Sequence, residues 1–594
     1  MAERGRGGRV LAAVAAIAAL ALPLSACVAE DEHVVVSDAS IGVAVPSDVT
    51  SFNPATTSGA TVANATLWYA THDTFAYEDD RSQIVFDEGF GRMEKVSDDP
   101  LTVRYTLAEG LLWSDGEPIT ADDLLLGWAA ESGYFDDVAY DPATGEAVSG
   151  TRYFDVAGST AGIRDTALPE TSGDGRTLTL RYDAPFADWD RVWLLGQPAH
   201  VVAEHAGVTE DELVAAIRST PRGDPAHPAP SPDAVLRAAA DFWNTGFDAT
   251  ALPGDPSLFV SNGPFVVTAW TPGESMTLEP NPDYRGDRAP AFTTLVLRFL
   301  GDAQAQVDAL RAGDVDVVSP PATADVVAQL RAVPGAQVLT GGLASYDHVD
   351  LSFRGDLADP AVRRAFLEVV PRQRILDEVV TPIAPDAGVL DSWVYPSQAP
   401  EYERAVAENG SDAYADVDVE GATALLAGRT PTVRVLYDPE DPARVAAFQA
   451  IQETAAQAGF QVVDAGSPDW RSLLGGDGYD VAVFAWDGLG DVELPEVFGS
   501  TGWSNFTGVN VPEIDALVDA IPGATDPGAV EDARIGLDRL LFDNAYGLPL
   551  FQDPGVQAAS ARLSGVTFMP GAIGPVWDFW RWTVADPSAT PAAE

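Results

Sequence analysis

One cysteine, one lysine and six histidines are all that this 594-residue chain holds of three residue types on which much protein chemistry depends. A single thiol, Cys27, has no intrachain partner, so no disulfide framework exists. Because that thiol sits at the end of an N-terminal leader, cysteine nucleophile chemistry in the body of the protein is excluded too. The only lysine, Lys95, belongs to no phosphate-cradling Gly-x-x-x-x-Gly-Lys loop, and neither a Gly-x-Ser-x-Gly elbow nor a dinucleotide fingerprint occurs. His33, His72, His200, His205, His227 and His348 are scattered. His200 and His205 flank Glu204, but a spacing of five puts them on different faces of a helix, so no metal site is expected. Long apolar runs are scarce as well: past the leader nothing approaches 18 uninterrupted apolar residues.

What is abundant is negative charge. Ninety acidic residues against 34 basic ones give a formal −56, a surface that repels nucleic acid. Solubility outside a cell accounts for such acidity, and a salt-rich habitat would as well. With so many acids, paired carboxylates carry no information about glycosidase chemistry. The 14 tryptophans suit either sugar stacking or ordinary core packing. No catalytic set, cofactor or metal is expected.

Arg4, Arg6 and Arg9 precede an apolar run from Val10 to Leu22, too short for a membrane span of about 20 residues. Leu24-Ser25-Ala26-Cys27 follows, small residues at a cleavage point. The ending resembles a bacterial lipobox: residues 1–26 are expected to be removed and Cys27 to carry lipid, each buried methylene adding about 0.8 kcal/mol of membrane affinity. A plain secretory signal with a chance cysteine is the alternative. Residues 27–40, polar and acidic, would tether the folded part.

Downstream, strand-like and helix-like segments alternate. Ser40–Val45 reads as a strand, and a helix starts near Ala63 after a Thr-, Ser- and Gly-rich loop. Leu101–Leu107 alternates apolar and polar residues as a half-buried strand does. Thr120 with Asp122 and Asp123 caps a helix. Residues 219–233 carry five prolines and must be irregular. A helix over 303–312 ends at Gly313, another starts at Asp359-Pro360, strands are expected at 432–437 and 479–486, and a helix at 444–458. Such alternation argues for α/β lobes on mixed sheets.

Four strings occur in order: Tyr105 to Asp123, containing Trp113-Ser-Asp-Gly; Ser261-Asn-Gly-Pro-Phe265 through Asn281-Pro-Asp-Tyr284 to Asp316; Asp359 to Phe366; and Phe498 to Leu517. Together they resemble the dipeptide- and oligopeptide-binding family of extracellular solute-binding proteins, family 5. The resemblance implies an α/β, two-lobed periplasmic-binding-protein-like (type II) fold with mixed sheets and an extra domain inserted in the N-terminal lobe. Lobe I would comprise 41–65, 160–318 and 546–594, the insert 66–159, and lobe II 319–545. It also implies ligand-contacting residues. In peptide-binding members an aspartate after a strand-ending Trp pairs with the peptide ammonium; here Trp486 ends the strand and Asp491 follows, two residues farther on than usual, with Asp487 as rival. Ser58, Gly59 and Ala60 match the loop that offers backbone groups to an extended ligand. No arginine matches a carboxylate partner; Arg434 is merely nearby.

The expected function is therefore a lipid-anchored, extracytoplasmic component of an ABC importer on the outer face of the cytoplasmic membrane. It would act as a monomer, capture peptides and deliver them to permease subunits. The same fold binding an oligosaccharide, metal chelate or opine is the alternative, and a secreted hydrolase or surface interaction module a more distant one.

Overall fold

A computed structural model describes residues 39–140, 147–571 and 573–585. The leader, Cys27 and most of the tether lie outside the described residues, so the lipid-anchor expectation is not addressed by them. Among the described residues no helix is long and apolar enough to cross a membrane.

In chain order, the elements that position the site begin with β1 (Ser40–Val45), buried from Ile41 on, and α1 (Val62–Thr71), whose N-cap Thr61 accepts from the Asn64 amide. Then come β2 (Gly91–Asp98) and β3 (Leu101–Leu107). Helix α2 (Ala121–Glu131) starts in a capping box, Thr120 and Asp123 each holding the other's backbone amide. β4 (Glu170–Thr171) and β5 (Thr177–Arg181) complete a four-stranded sheet of order β2-β3-β5-β4. β5, which ends at Arg181, hydrogen-bonds along β3, Leu178 opposite Tyr105.

The remaining strands are β6 (Phe265–Thr271), β7 (Ser275–Pro280), β8 (Thr294–Phe299), β9 (Val317–Val318), β10 (Gln337–Leu351), β11 (Thr432–Leu436), β12 (Gln461–Asp464), β13 (Val481–Trp486) and β14 (Gly547–Ala559). With β1 they form one ten-stranded mixed sheet, β6-β7-β8-β1-β9-β14-β10-β13-β11-β12. Helices α3 (Pro442–Ala458), α4 (Leu494–Phe498) and α5 (Pro527–Asp543) pack beside its second half. Residues 220–233, as the prolines require, contain no helix or strand.

Two large cores flank this sheet. One is built on β1, β6–β8, the four-stranded sheet and Trp582 near the C-terminus; the other on β11, β13, α3, α5 and the far end of β10. Between them run the long antiparallel strands β10 and β14. Their middles are half-exposed: Gly341 faces Gly555, Gly342 faces Pro554, and the register then slips before Tyr346 meets Gln552. A span with little side-chain bulk and broken register bends more readily than the buried end of β10 from Tyr346 on and the buried ends of β14.

Candidate functional site

The site is built where β13 ends beside the slip. Trp486, Tyr346 and Gln552 are cross-strand neighbours on β13, β10 and β14, so their side chains stand in a row on one sheet face. The Trp486 ring is stacked near-parallel to His348 (5.8 Å, 9°) and Phe506 (5.9 Å, 12°), with Phe484 edge-on at 5.1 Å. Its Nε1 is buried with no hydrogen-bond partner among the described residues. In the same row Gln552 donates to the Leu343 carbonyl and to Gln398 Oε1, which leaves Gln398 Nε2 also buried and unpartnered. These are two free donors on the sheet face.

Asp487, the next residue, is exposed, and Gly488 lies against Ala344 of the crossing strand, where a Cβ would stand 3.4 Å from the Ala344 carbonyl. Asp553 and Asp347 lie close by. Burial raises the Asp553 carboxyl, Asp441 and Asp487 adding to the rise while the Ser345 hydroxyl and Arg444 oppose it. Asp347 is raised too, by burial and then by Asp553, although Arg444 sits 3.2 Å away. Negative charge therefore gathers on this side of the strand end.

Asp491 is buried, and one oxygen takes the Arg534 Nε of α5 at 2.5 Å. The other accepts no hydrogen bond among the described residues. Tyr395 lies under the guanidinium at 5.6 Å, and burial and Asp491 raise the carboxyl of facing Asp188 to about 6. The aspartate expected to hold a ligand ammonium thus already shares its charge with an arginine. Nothing in sequence pointed to Arg534, one among many arginines and 43 residues away; only folding brings α5 to the end of β13.

Ser58, Gly59 and Ala60 form the turn before α1, where a Cβ on Gly59 would stand 2.1 Å from the Asn53 carbonyl, so only glycine fits. The Gly59 amide is bound to Thr56, and its carbonyl accepts from Thr61 and Asn64. The Ser58 and Ala60 backbones make no hydrogen bond among the described residues. Ser58 borders a shallow depression with Thr50, Asp248, Ala249 and Thr250. The structure groups Trp486, Asp487 and Asp491 at and after the end of β13 and Ser58–Ala60 on the turn before α1. Arg434 pairs with Asp480 and His200 with Asp115, each away from these groups.

Residues 88–505 match the profile of the bacterial extracellular solute-binding proteins, family 5 (middle region). An uncharacterised lipoprotein of Mycobacterium tuberculosis is 26% identical over 578 residues, covering 92% of this chain and 93% of the relative. The oligopeptide-binding protein OppA of the same species is 25% identical over 504 residues, 82% of this chain and 75% of that one. Among solved structures, the periplasmic EDTA-binding protein EppA superimposes with a TM-score of 0.71 at 21% identity, over 92% of this chain and 97% of that one.

Proposed function

Since the chain belongs to the bacterial extracellular solute-binding proteins, family 5, we propose that it captures peptides between two closing lobes and delivers them to an ABC permease. As a member of that family it is a binding component of an importer rather than an enzyme, and it works outside the cytoplasm. The likeness to OppA along 82% of the chain is the observation that carries the peptide reading. The likeness to a lipoprotein over nearly the whole chain supports lipid on Cys27 and a seat on the outer face of the cytoplasmic membrane; we take it to act as a monomer. We place lobe I on the first core and lobe II on the second, hinged at the glycine-rich middles of β10 and β14. Ligand contacts made by both lobes favour the closed arrangement, the form the permease would read.

In this reading Trp486, Asp487, Asp491 and the free backbone groups of Ser58 and Ala60 contact the ligand. The unengaged Asp491 oxygen takes the peptide ammonium while the other keeps Arg534. Asp491→Asn retains an acceptor for Arg534 but removes the charge. Peptide affinity should then fall on the order of a hundredfold, the lower end of what breaking a buried charge pair costs. Mass spectrometry of species released by denaturing the purified lipid-free protein, followed by thermal shift with those species, tests the reading. Peptides that raise the melting temperature, and fail to in Asp491→Asn, are the expected result. An abundant sugar or metal chelate in their place overturns it.

A further inference from the structure

The chain's only lysine lies where the four-stranded sheet meets the second core. Lys95, near the end of β2, donates from Nζ to the Thr525 carbonyl at 2.6 Å and pairs with Asp98 at 2.7 Å. Asp98 in turn accepts from the Thr525 hydroxyl at 3.3 Å, and Trp189 lies 5.7 Å from Nζ. The strand carrying Lys95 packs into the first core through Met93, and the turn before Thr525 into the second through Ile521. A second contact adjoins this one. The turn Ala187–Arg191, which follows β5, brings Asp188 against the Arg534–Asp491 pair, and Val492 packs onto the first core. Every group on one side comes from the four-stranded sheet or the turn after it. Every group on the other comes from the second core or from the connection that carries Asp491.

We propose that the four-stranded sheet is a clasp: Lys95 on Thr525, beside the packing of the 187–191 turn on the 521–523 turn, holds the two lobes closed and fixes the Asp491 connection between them. The clasp rests on the two-lobe reading above but not on the identity of the ligand. Its grip is polar and small. A lysine whose side chain is 21% exposed, hydrogen-bonded to a single carbonyl, is a contact that can part and re-form without unfolding either core. It also couples to the site. Asp188 carries a charge within electrostatic reach of the Asp491–Arg534 pair that the reading above gives to the ligand ammonium, so clasp and site adjoin.

Because no other lysine exists, an amine-reactive acyl reagent followed by peptide mapping reads Lys95 alone among side chains. In the purified, unliganded full chain Lys95 should acylate at least tenfold more slowly than in the urea-unfolded chain. Lys95→Met should speed amide hydrogen exchange at least tenfold over 187–191, 487–493 and 521–525, and enlarge the radius of gyration in solution scattering. Lys95→Arg, which keeps a donor, should restore both. Lys95 acylating as fast as in urea, or Lys95→Met leaving exchange unchanged, overturns the clasp. No ligand enters these measurements, so finding sugars in place of peptides would not disturb them, and failure of the clasp would leave the peptide reading standing.

Discussion

Arg288→Met should be among the most destabilising single changes in this protein, lowering stability by about 3–5 kcal/mol, the cost of stranding a buried charge. Arg288 is 5% exposed and lies between two carboxylates: it donates to Asp73, buried at 2%, and its Nε stands 3.6 Å from Asp87, buried at 4%. Tyr284 donates to the other Asp73 oxygen at 2.8 Å, and the rings of Tyr69, Tyr77 and Trp580 lie 5.3–5.6 Å from the guanidinium. One side chain thus ties the end of α1, the loop after β7 and the C-terminal segment together, over 215 residues of sequence to Asp73 alone. Methionine fills much of the volume but leaves both acids without a cation. Their repulsion then adds to a desolvation that already lifts Asp87 to about 6. A urea melt should show the midpoint fall sharply. Asp73→Asn with Asp87→Asn in the Arg288→Met background should recover part of the loss, because neutral amides need no counter-charge. A wild-type midpoint for Arg288→Met would mean the carboxylates are already protonated and the guanidinium idle.

Much of this architecture was legible because it rests on local chemistry. Thr120, Asp122 and Asp123 announced α2, and Asp123 closes the capping box while also holding the Ala199 amide at 2.9 Å. Gly313, with φ +78°, ends its helix where the sequence put the stop. Alternation in Leu101–Leu107 gave a strand with its odd positions buried. What could not be read was anything set by distance along the chain. The ammonium-binding role of Asp491 rested on its place after Trp486, yet its neighbour in space is Arg534, supplied by a helix whose own sequence gives no reason to face β13. Likewise the pairing of β5 with β3 is set by the fold, not by local sequence. The stacking of Trp486 on His348 and Phe506 is of the same kind: they reach it only through strand pairing and the loop after α4.

The second large effect concerns pH, and its sign opposes the ordinary behaviour of acidic groups. Burial holds the carboxyls of Asp87, Asp123, Asp188, Asp538 and Asp578 up at about 6. Hydrogen bonds to Asp538 from Ser392, Asn409 and the Trp393 amide offset that burial only in part. Each such group binds a proton in the folded state at pH values where the unfolded chain, near 4, has already released it. Their contribution is therefore fully present at low pH and is lost as pH rises from about 4 to about 6. Hydrogen-bonded surface acids such as Asp98, Asp255 and Asp359, whose carboxyls are held below the usual range, act in reverse, but only below pH 4. Acidification also relieves the self-repulsion of a chain that carries −56. Stability should accordingly peak near pH 4, with a melting temperature on the order of 5 °C higher at pH 5 than at pH 7.5 when ionic strength is held constant. Asp538→Asn should flatten the slope between those values, because its share no longer titrates. A melting temperature that falls steadily from pH 7.5 to pH 5 would show that these carboxyls are ionised in the folded protein, and that the hydrogen bonds around Asp538 and Asp578 outweigh their burial.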